Sequence, residues 1–387
     1  MEAFDKGLDK YIRIVRPFKF GRVSKFDQES IMQKATILIP DISGYTEFLT
    51  KTELSHSTHI INELLQVLPD SIEDKFTLAE IEGDALLTYA KGKVSFNDIE
   101  QVCKAAFLNF HYYLKVIERD NVCRCGACQY QAELSLKFIV HYGTFDEIKI
   151  SNFTKLSGPD MIIAHRLMKN NVPTSEYILM TDDYFDNQVT TNSLFEWKPG
   201  HDLYMVLGDI NYHYTRLEKL RIGIKAPEKL EDFSSLFTIA QNLEMEIKAP
   251  LDLVHKILTD QSEKINFVPG LKNIDYDSSI NRIGSTHVCE FDGDKVDIHT
   301  LQEINKSDDV VYIEKATSLN TGFVMLTYYE LKRLKNDVTS INFRALTGDR
   351  KAIPEPFATQ IYEQSGRGLT AMKGYVESLF LIDEKAS

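Results

Sequence analysis

Short apolar runs of β type alternate with longer amphipathic segments in the first half of the chain, and this alternation restricts the possible folds most. The run Ala35–Pro40 predicts a buried strand, and residues 134–140 predict another. Residues 76–89 predict a hairpin that turns at Glu82-Gly83-Asp84, and residues 97–118 predict a helix with one apolar face. Because strands and helices alternate, the sequence favours an α+β or α/β fold and excludes a helical bundle.

A charged segment at residues 221–235, which carries Gly and Pro, separates two patterned regions of the chain. The length of 387 residues suits two domains. We therefore expect an N-terminal segment over residues 1–34, a first domain over 35–220, a linker over 221–235 and a second domain over 236–387.

Composition excludes several classes of protein. The chain has 44 Lys and Arg against 57 Asp and Glu, a net charge of −13, which argues against a nucleic-acid binder. No apolar run approaches the roughly 18 residues that a membrane span needs, and the N-terminus has no apolar region typical of a signal peptide. Because three of the five cysteines crowd into six residues, we expect no disulfide framework and a cytoplasmic location.

Two aspartates end β-type segments of the first domain. Asp41 follows the first apolar run, and Asp84 follows Gly83 at the predicted hairpin tip. Paired carboxylates at strand ends can hold two Mg²⁺ or Mn²⁺ ions for a displacement at phosphorus. Taken by themselves, however, an Asp and a Gly at a strand end are more typical of an ordinary turn.

Motifs that occur in order over about residues 35–215 resemble those of the class III nucleotidyl cyclases. They are Asp41-Ile-Ser-Gly-Tyr-Thr46, Gly83-Asp84, Phe138-Ile-Val-His141-Tyr-Gly143 and Gly158-Pro-Asp-Met-Ile-Ile-Ala-His-Arg166. The resemblance implies a ferredoxin-like catalytic domain that converts a nucleoside triphosphate to a 3′,5′-cyclic nucleotide. It also implies a homodimer, since each active site of that family is completed across a two-fold interface.

The resemblance assigns roles to individual residues. Asp41, Asp84 and the backbone carbonyl of Ile42 would hold two Mg²⁺ or Mn²⁺ ions, and Arg166 would stabilise the transition state. The family also has a transition-state asparagine at the position of Ile162, and an isoleucine cannot donate a hydrogen bond. This departure favours an alternative function, a catalytically degenerate nucleotide or metal sensor that responds to the second domain or serves to dimerise it.

The base-selecting positions also depart from the adenylate cyclases. Glu80 and Lys155 stand where the resemblance implies a Lys and an Asp, which reverses donor and acceptor. This reversal favours GTP over ATP. In the alternative, the two side chains form an ordinary salt bridge and recognise no base.

The cysteine cluster is an addition to the class III motifs. Cys123, Cys125 and Cys128 form a C-x-C-x-x-C run, which suits a tetrahedral Zn²⁺ site with Cys103 as the best further ligand. The usual second C-x-x-C or H-x-x-x-H pair is absent from the sequence. Its absence favours the alternative of three reduced or redox-labile loop cysteines.

The residue pattern of the second domain predicts a strand, short helices, several antiparallel strands and a long C-terminal helix. This order resembles the START-like or polyketide-cyclase superfamily, whose helix-grip fold encloses a ligand cavity. The segments that carry the resemblance are Leu243–Val254, Phe267–Gly270 and Leu369–Phe380. The resemblance implies that a hydrophobic or amphipathic small molecule binds between the sheet and Leu369, Met372 and Val376.

Overall fold

The computed structural model describes residues 33–150, 153–185, 193–225, 227, 238–276, 280–305, 308–335, 337–347 and 355–386. The expected N-terminal segment therefore lies outside the described residues except for positions 33–34. The expected linker is described only at residues 221–225 and 227.

In the described residues of the first half, eight strands form one mixed sheet. They are β1 (Gln33–Ser43), β2 (Thr77–Glu82), β3 (Ala85–Lys91), β4 (Ser135–Ile150), β5 (Phe153–Ser157), β6 (Tyr177–Thr181), β7 (Lys198–Tyr204) and β8 (Gly208–Arg216). The order is β2-β3-β1-β4-β6-β8-β7, with β5 paired to the last residues of β4. β4 and β6 run parallel, and the other pairs are antiparallel.

Helices cover both faces of this sheet. They are α1 (Tyr45–Lys51), α2 (Leu54–Val67), α3 (Pro69–Ile72), α4 (Phe96–Asp120), α5 (Gly126–Tyr130), α6 (Pro159–Leu167) and α7 (Glu218–Arg221). Successive side chains of a strand point to opposite faces. Leu38 and Ile42 of β1 therefore pack in the core that contains α2 and α4, whereas Ile37 and Ile39 pack in the core that contains α6.

The predicted strand, hairpin and helix of the first half are confirmed as β1, the β2–β3 pair and α4. The hairpin turns through Gly83 and Asp84, with Glu82 and Ala85 as the closing pair. Gly83 has a φ of 65°, a left-handed conformation that glycine adopts without strain. The first half is thus a mixed sheet with packed helices, an α+β arrangement.

In the second half, the described strands form an antiparallel sheet of seven. They are β9 (Thr238–Ile247), β10 (Asn273–Tyr276), β11 (Thr286–Phe291), β12 (Asp294–Asn305), β13 (Asp309–Ser318), β14 (Val324–Lys335) and β15 (Val338–Thr347). Their order is β10-β11-β12-β13-β14-β15-β9, so the first strand of the half pairs with the last. The predicted order of elements is confirmed, while membership in the START-like superfamily stays a prediction.

Among the described residues of this half, three α-helices accompany the sheet. They are α8 (Leu251–Thr259), α9 (Lys264–Phe267) and α10 (Glu355–Ala386). Leu369, Met372 and Val376 of α10 are buried in a core that also contains Tyr312 and Phe343 of the sheet. A ligand cavity beside these three side chains stays a prediction. Over the described residues, no helix of either half has both the length and the apolar character that a membrane crossing needs.

The segment between α4 and α5 contacts the second half of the chain. The Ile283 N–H donates to the Asp120 carbonyl at 2.9 Å, and Asn121 forms a β-bridge with Arg282. Val122 is buried in the core of the second half. Arg282 also forms an ion pair with Glu63 of α2 at 2.5 Å, so α2 takes part in the same junction.

Candidate functional site

Two backbone elements bring Asp41 and Asp84 together at one end of the first sheet. Asp41 lies near the end of β1, where Ala85 and Lys137 are its register partners on β3 and β4. Asp84 lies in the β2–β3 turn, and its carbonyl oxygen accepts a hydrogen bond from the Ile42 N–H at 3.1 Å. This bond holds the turn against β1, and the two carboxylates are close enough for their charges to interact.

Burial disfavours the charged forms of these two carboxylates. Burial raises the pKa of Asp41 to about 6; Lys137 opposes this rise, whereas repulsion from Asp84 adds to it. Burial also raises the pKa of Asp84. The Lys137 ammonium lies 3.2 Å from the Asp41 carboxylate and donates to the Met168 carbonyl at 3.1 Å. One ammonium thus links the aspartate pair to the end of α6.

The donor set at this position fits a divalent cation. Mg²⁺ and Mn²⁺ take oxygen ligands, and two carboxylates with a backbone carbonyl nearby supply them. Asp41 is only 6% exposed and Asp84 is half-buried, so their charges are screened less than those of surface carboxylates. A bound cation would oppose both causes that raise the pKa of Asp41, its burial first and then the repulsion from Asp84.

Helix α6 presents Ile162 and Arg166 on one exposed face, four residues apart. Ile162 is 52% exposed. Within the described residues, the Arg166 guanidinium makes no ion pair with Asp41 or Asp84 of the same chain, and Arg166 contributes its backbone carbonyl to the Tyr204 hydroxyl at 3.2 Å. Within one chain, the described residues therefore show no ion pair between the predicted catalytic arginine and the predicted metal-binding aspartates.

β4 fixes the start of α6 through Asp160. The Asp160 carboxylate accepts hydrogen bonds from the backbone N–H and hydroxyl of Thr144, and it lies 3.5 Å from His141. A Cβ at Gly143 would lie only 2.3 Å from the Asp160 Cγ. Buried His141 contacts the Thr181 hydroxyl at 2.8 Å. The His141 and Gly143 motif therefore positions α6 against the sheet.

The predicted base-recognition residues lie together. Lys155 of β5 and Glu80 of β2 form an exposed ion pair with an N–O distance of 3.2 Å. This contact matches the alternative of an ordinary salt bridge. Because exposed pairs contribute only about 0–1 kcal/mol, it would open readily for a base.

The structure brings three of the four predicted cysteine ligands together and corrects the fourth. Cys123, Cys125 and Cys128 cluster with His56 of α2. Cys103 is fully buried beside Glu100 in the core under α4 and lies outside this cluster. The prediction of Cys103 as a ligand is wrong because its helical position turns the thiol into the core.

Sequence reasoning missed Lys137 and His56. Lys137 could have been found as the single charged residue in the apolar run of residues 134–140. His56 carries no comparable signal, because it is separated from Cys123 by 67 residues and only the fold brings it near.

The comparisons with known proteins identify related proteins without an assigned activity. A family described as a protein of unknown function, DUF2652, matches residues 61–177. An uncharacterized protein of Mycobacterium tuberculosis strain H37Rv is 36% identical over 123 residues, which cover 31% of this chain. The chain spans 56% of that relative's length.

The chain is also similar to solved structures of nucleotide cyclase domains. The adenylyl cyclase CyaB from P. aeruginosa has 15% identity and a TM-score of 0.36, covering 48% of this chain and 94% of that chain. The guanylate cyclase domain of RhGC from Catenaria anguillulae, solved with GTP, has 14% identity and a TM-score of 0.34, covering 48% and 98%. At these values the likeness supports no conclusion about the activity of this chain.

Proposed function

We propose that the first half of the chain binds a nucleoside triphosphate through Mg²⁺ or Mn²⁺ ions and converts it to a 3′,5′-cyclic nucleotide. The observation that supports this most is the pair of neighbouring carboxylates, Asp41 and Asp84, at the end of β1 and in the β2–β3 turn. Burial, the main cause of their raised pKa values, makes both carboxylates unfavourable as anions unless a cation is close by. A metal ion with a bound triphosphate would suit such a site.

Different residues of the chain would have different roles in this reaction. Asp41, Asp84 and the Ile42 carbonyl would hold the metal ions, which supply charge neutralisation at the phosphates and acidify the attacking 3′-hydroxyl. Lys137 pairs with Asp41 when no metal is bound. Arg166 would stabilise the charge that develops on the α-phosphate.

We propose that a second copy of the chain completes the site, since Arg166 makes no ion pair with the aspartates of its own chain among the described residues. Apolar side chains that a partner could cover are exposed near the Glu80–Lys155 pair. They are Leu78 and Ile81 of β2 and Ile148 of β4, which are 45%, 59% and 48% exposed. Ile148 is the register partner of Lys155. We propose a homodimer through this surface.

Sedimentation tests the dimer. We expect the wild-type chain to sediment as a dimer at tens of micromolar, and an Ile81→Asp, Ile148→Asp double variant to shift toward monomer. Leu203→Asp is the matched control, since Leu203 is 79% exposed on β7. A wild-type monomer with and without nucleotide and Mn²⁺ would contradict the dimer.

We propose that Glu80 and Lys155 make GTP the preferred substrate. Guanine offers N1–H and N2–H donors to a carboxylate and an O6 acceptor to an ammonium. A Glu80→Lys, Lys155→Asp double variant should shift preference from GTP toward ATP. Unchanged preference would mean that the two residues form only a salt bridge.

The experiment on the reaction uses purified full-length protein, Mn²⁺ and each of the four nucleoside triphosphates, with products identified by mass spectrometry. We expect a cyclic nucleotide and pyrophosphate, lost in Asp41→Asn and retained in Asp209→Asn, a control on an exposed position of β8. Activity that survives Asp41→Asn would contradict the proposal.

Ile162 favours a second candidate function, a nucleotide sensor without turnover. Its exposed side chain occupies the face of α6 that carries Arg166, and it offers no hydrogen bond to a transition state. If no triphosphate yields a product while Asp41→Asn weakens Mn²⁺-dependent nucleotide binding, the sensor replaces the enzyme.

For the second half, we propose binding of an amphipathic small molecule beside α10. Among the described residues, His287 Nδ1 and both polar atoms of the Gln261 carboxamide are buried without a hydrogen-bond partner. Such groups would suit the polar end of a ligand. A fluorescent fatty acid should bind the full chain at micromolar concentration and bind Gln261→Leu more weakly. Failure of several apolar probes to bind would contradict the proposal.

A further inference from the structure

Four potential metal ligands converge between α2 and the segment before α5. The ligand atoms of His56, Cys123, Cys125 and Cys128 all lie within 4.8 Å of one another. His56 Nδ1 is 3.1 Å from the Cys125 Sγ, 3.5 Å from the Cys123 Sγ and 3.7 Å from the Cys128 Sγ. The cysteines form no disulfide.

These separations are near those of a tetrahedral zinc site. Zn–S bonds of about 2.3 Å and Zn–N bonds of about 2.0–2.1 Å place tetrahedral ligand atoms roughly 3.5–3.8 Å apart. Three thiolates and one imidazole also select Zn²⁺ over the hard cations that carboxylates bind. We propose that His56 and Cys123, Cys125 and Cys128 hold one Zn²⁺ ion in a closed structural site.

Hydrogen bonds around the cluster fix the ligands in place. The Cys125 N–H donates to the Cys123 Sγ at 3.5 Å, and Asn121 Nδ2 donates to the Cys128 carbonyl at 3.1 Å. The Ala127 N–H donates to the Glu53 carboxylate at 3.3 Å. Outer contacts of this kind orient metal ligands.

The same segment joins the two halves of the chain. Arg124, between two of the ligands, forms an ion pair with Asp252 of α8 at 3.2 Å. Asn121 pairs with Arg282, and Val122 is buried in the second core. A metal ion that fixes this segment to His56 of α2 therefore also holds the surface on which the second half docks. Zinc removal should loosen that contact.

The first test measures metal in the full-length protein. We expect about one zinc per chain by elemental mass spectrometry and its release by a thiol-modifying reagent. Cys128→Ser should lower the zinc content at least tenfold, and Cys289→Ala, at a free cysteine of β11, should retain it. Reduced, metal-free protein that does not bind added Zn²⁺, or an internal disulfide among the three cysteines in protein kept under reducing conditions, would overturn the proposal.

A second measurement covers the case in which Cys128→Ser does not fold. Co²⁺ bound to the wild-type chain should give the visible absorption of a tetrahedral ion and a thiolate charge-transfer band. A spectrum typical of octahedral Co²⁺, without the charge-transfer band, would overturn the proposed zinc site.

The docking consequence is tested by hydrogen exchange. We expect zinc removal to speed exchange of the Ile283 amide, which bonds to the Asp120 carbonyl, without a change at the Leu179 amide in the buried β6. Arg124→Ala should retain zinc and also speed exchange at Ile283. Unchanged exchange at Ile283 after zinc removal would mean that the metal does not hold the junction.

Discussion

At the scale of single residues, Lys137 determines how Asp41 can behave. Its ammonium is 3.2 Å from a carboxylate that burial and Asp84 both disfavour as an anion. A divalent ion entering this site must therefore compete with a resident cation. The interaction between an ammonium and a divalent ion a few ångströms away amounts to several kcal/mol at an effective dielectric constant of 20.

Lys137→Met should therefore bind Mn²⁺ at least tenfold more tightly than the wild type. The experiment is a titration with Mn²⁺ alone at pH 8, above the pKa of about 6 that Asp41 has in the wild type. Lys169→Met, at an exposed lysine beyond α6, is the control. Weaker binding in Lys137→Met would mean that the lysine organises the site instead of competing with the metal.

A second residue-scale prediction concerns His287. Burial, and then the charge of Lys264 at 3.2 Å, lower the pKa of His287 to about 4; Glu314, Asp297 and His299 are the other titratable groups near it. The unfolded chain, with a histidine pKa near 6.5, binds more protons between these values. Stability should therefore rise with pH over this window, and about 2 kcal/mol should be lost between pH 7 and pH 5.

Urea unfolding at the two pH values measures this effect. His287→Gln should lose less stability than the wild type on acidification, since it has no proton to gain. His201→Gln, on an exposed position of β7, should behave like the wild type. Equal pH dependence in all three proteins would contradict the low pKa of His287.

At this scale, the sequence predicts those positions that depend on residues close by in the chain. The strand-end positions of Asp41 and Asp84 follow from apolar runs and turn residues beside them in the chain. His56 could not be predicted as a companion of the cysteines, because its position depends on how α2 packs. The exclusion of Cys103 depends on packing too, since the helical face on which it lies points into the core.

At the scale of elements, the apolar pattern predicted β1, the β2–β3 hairpin and α4, and it missed β7. The β7 segment, Lys198–Tyr204, contains Pro and Gly and alternates few apolar residues, so it has no strand pattern of its own. It is a strand because β8 pairs with it and Tyr212 packs over Gly200. Such pairing belongs to the tertiary structure and not to the segment.

At the scale of elements, a substitution in helix α6 tests where this helix lies relative to the reaction. Ile162→Asn would add a hydrogen-bond donor one turn from Arg166, on a side chain that is 52% exposed and so costs little helix stability. If the site catalyses cyclisation, the rate should rise at least tenfold, since one transition-state donor contributes roughly 10²–10³ in rate. Ile162→Ala is the control, because it removes the same apolar surface without adding a donor. Equal rates for the two variants would contradict the assigned position of α6.

At the scale of the whole molecule, two connections could not be predicted from the sequence. The junction between the halves depends on the segment before α5, whose residues contact α2 on one side and α8 on the other. That Arg166 makes no ion pair with the aspartates of its own chain, among the described residues, appears only when β4 and α6 are placed. Both observations concern surfaces, and surface contacts leave little periodic pattern in a sequence.

The last prediction tests whether one site is built from two chains. Asp41→Asn and Arg166→Ala should each be inactive as homodimers, but a heterodimer of the two has one site with intact aspartates from one chain and intact arginine from the other. Purified through two different tags, it should have about half of the wild-type rate of cyclic nucleotide formation, since one of its two equivalent sites is intact. The matched control pairs Asp41→Asn with Asp84→Asn, which damage the metal ligands of both sites and should restore nothing. A folded Asp41→Asn and Arg166→Ala heterodimer without activity would contradict a shared site, because each of its chains still supplies what the other lacks.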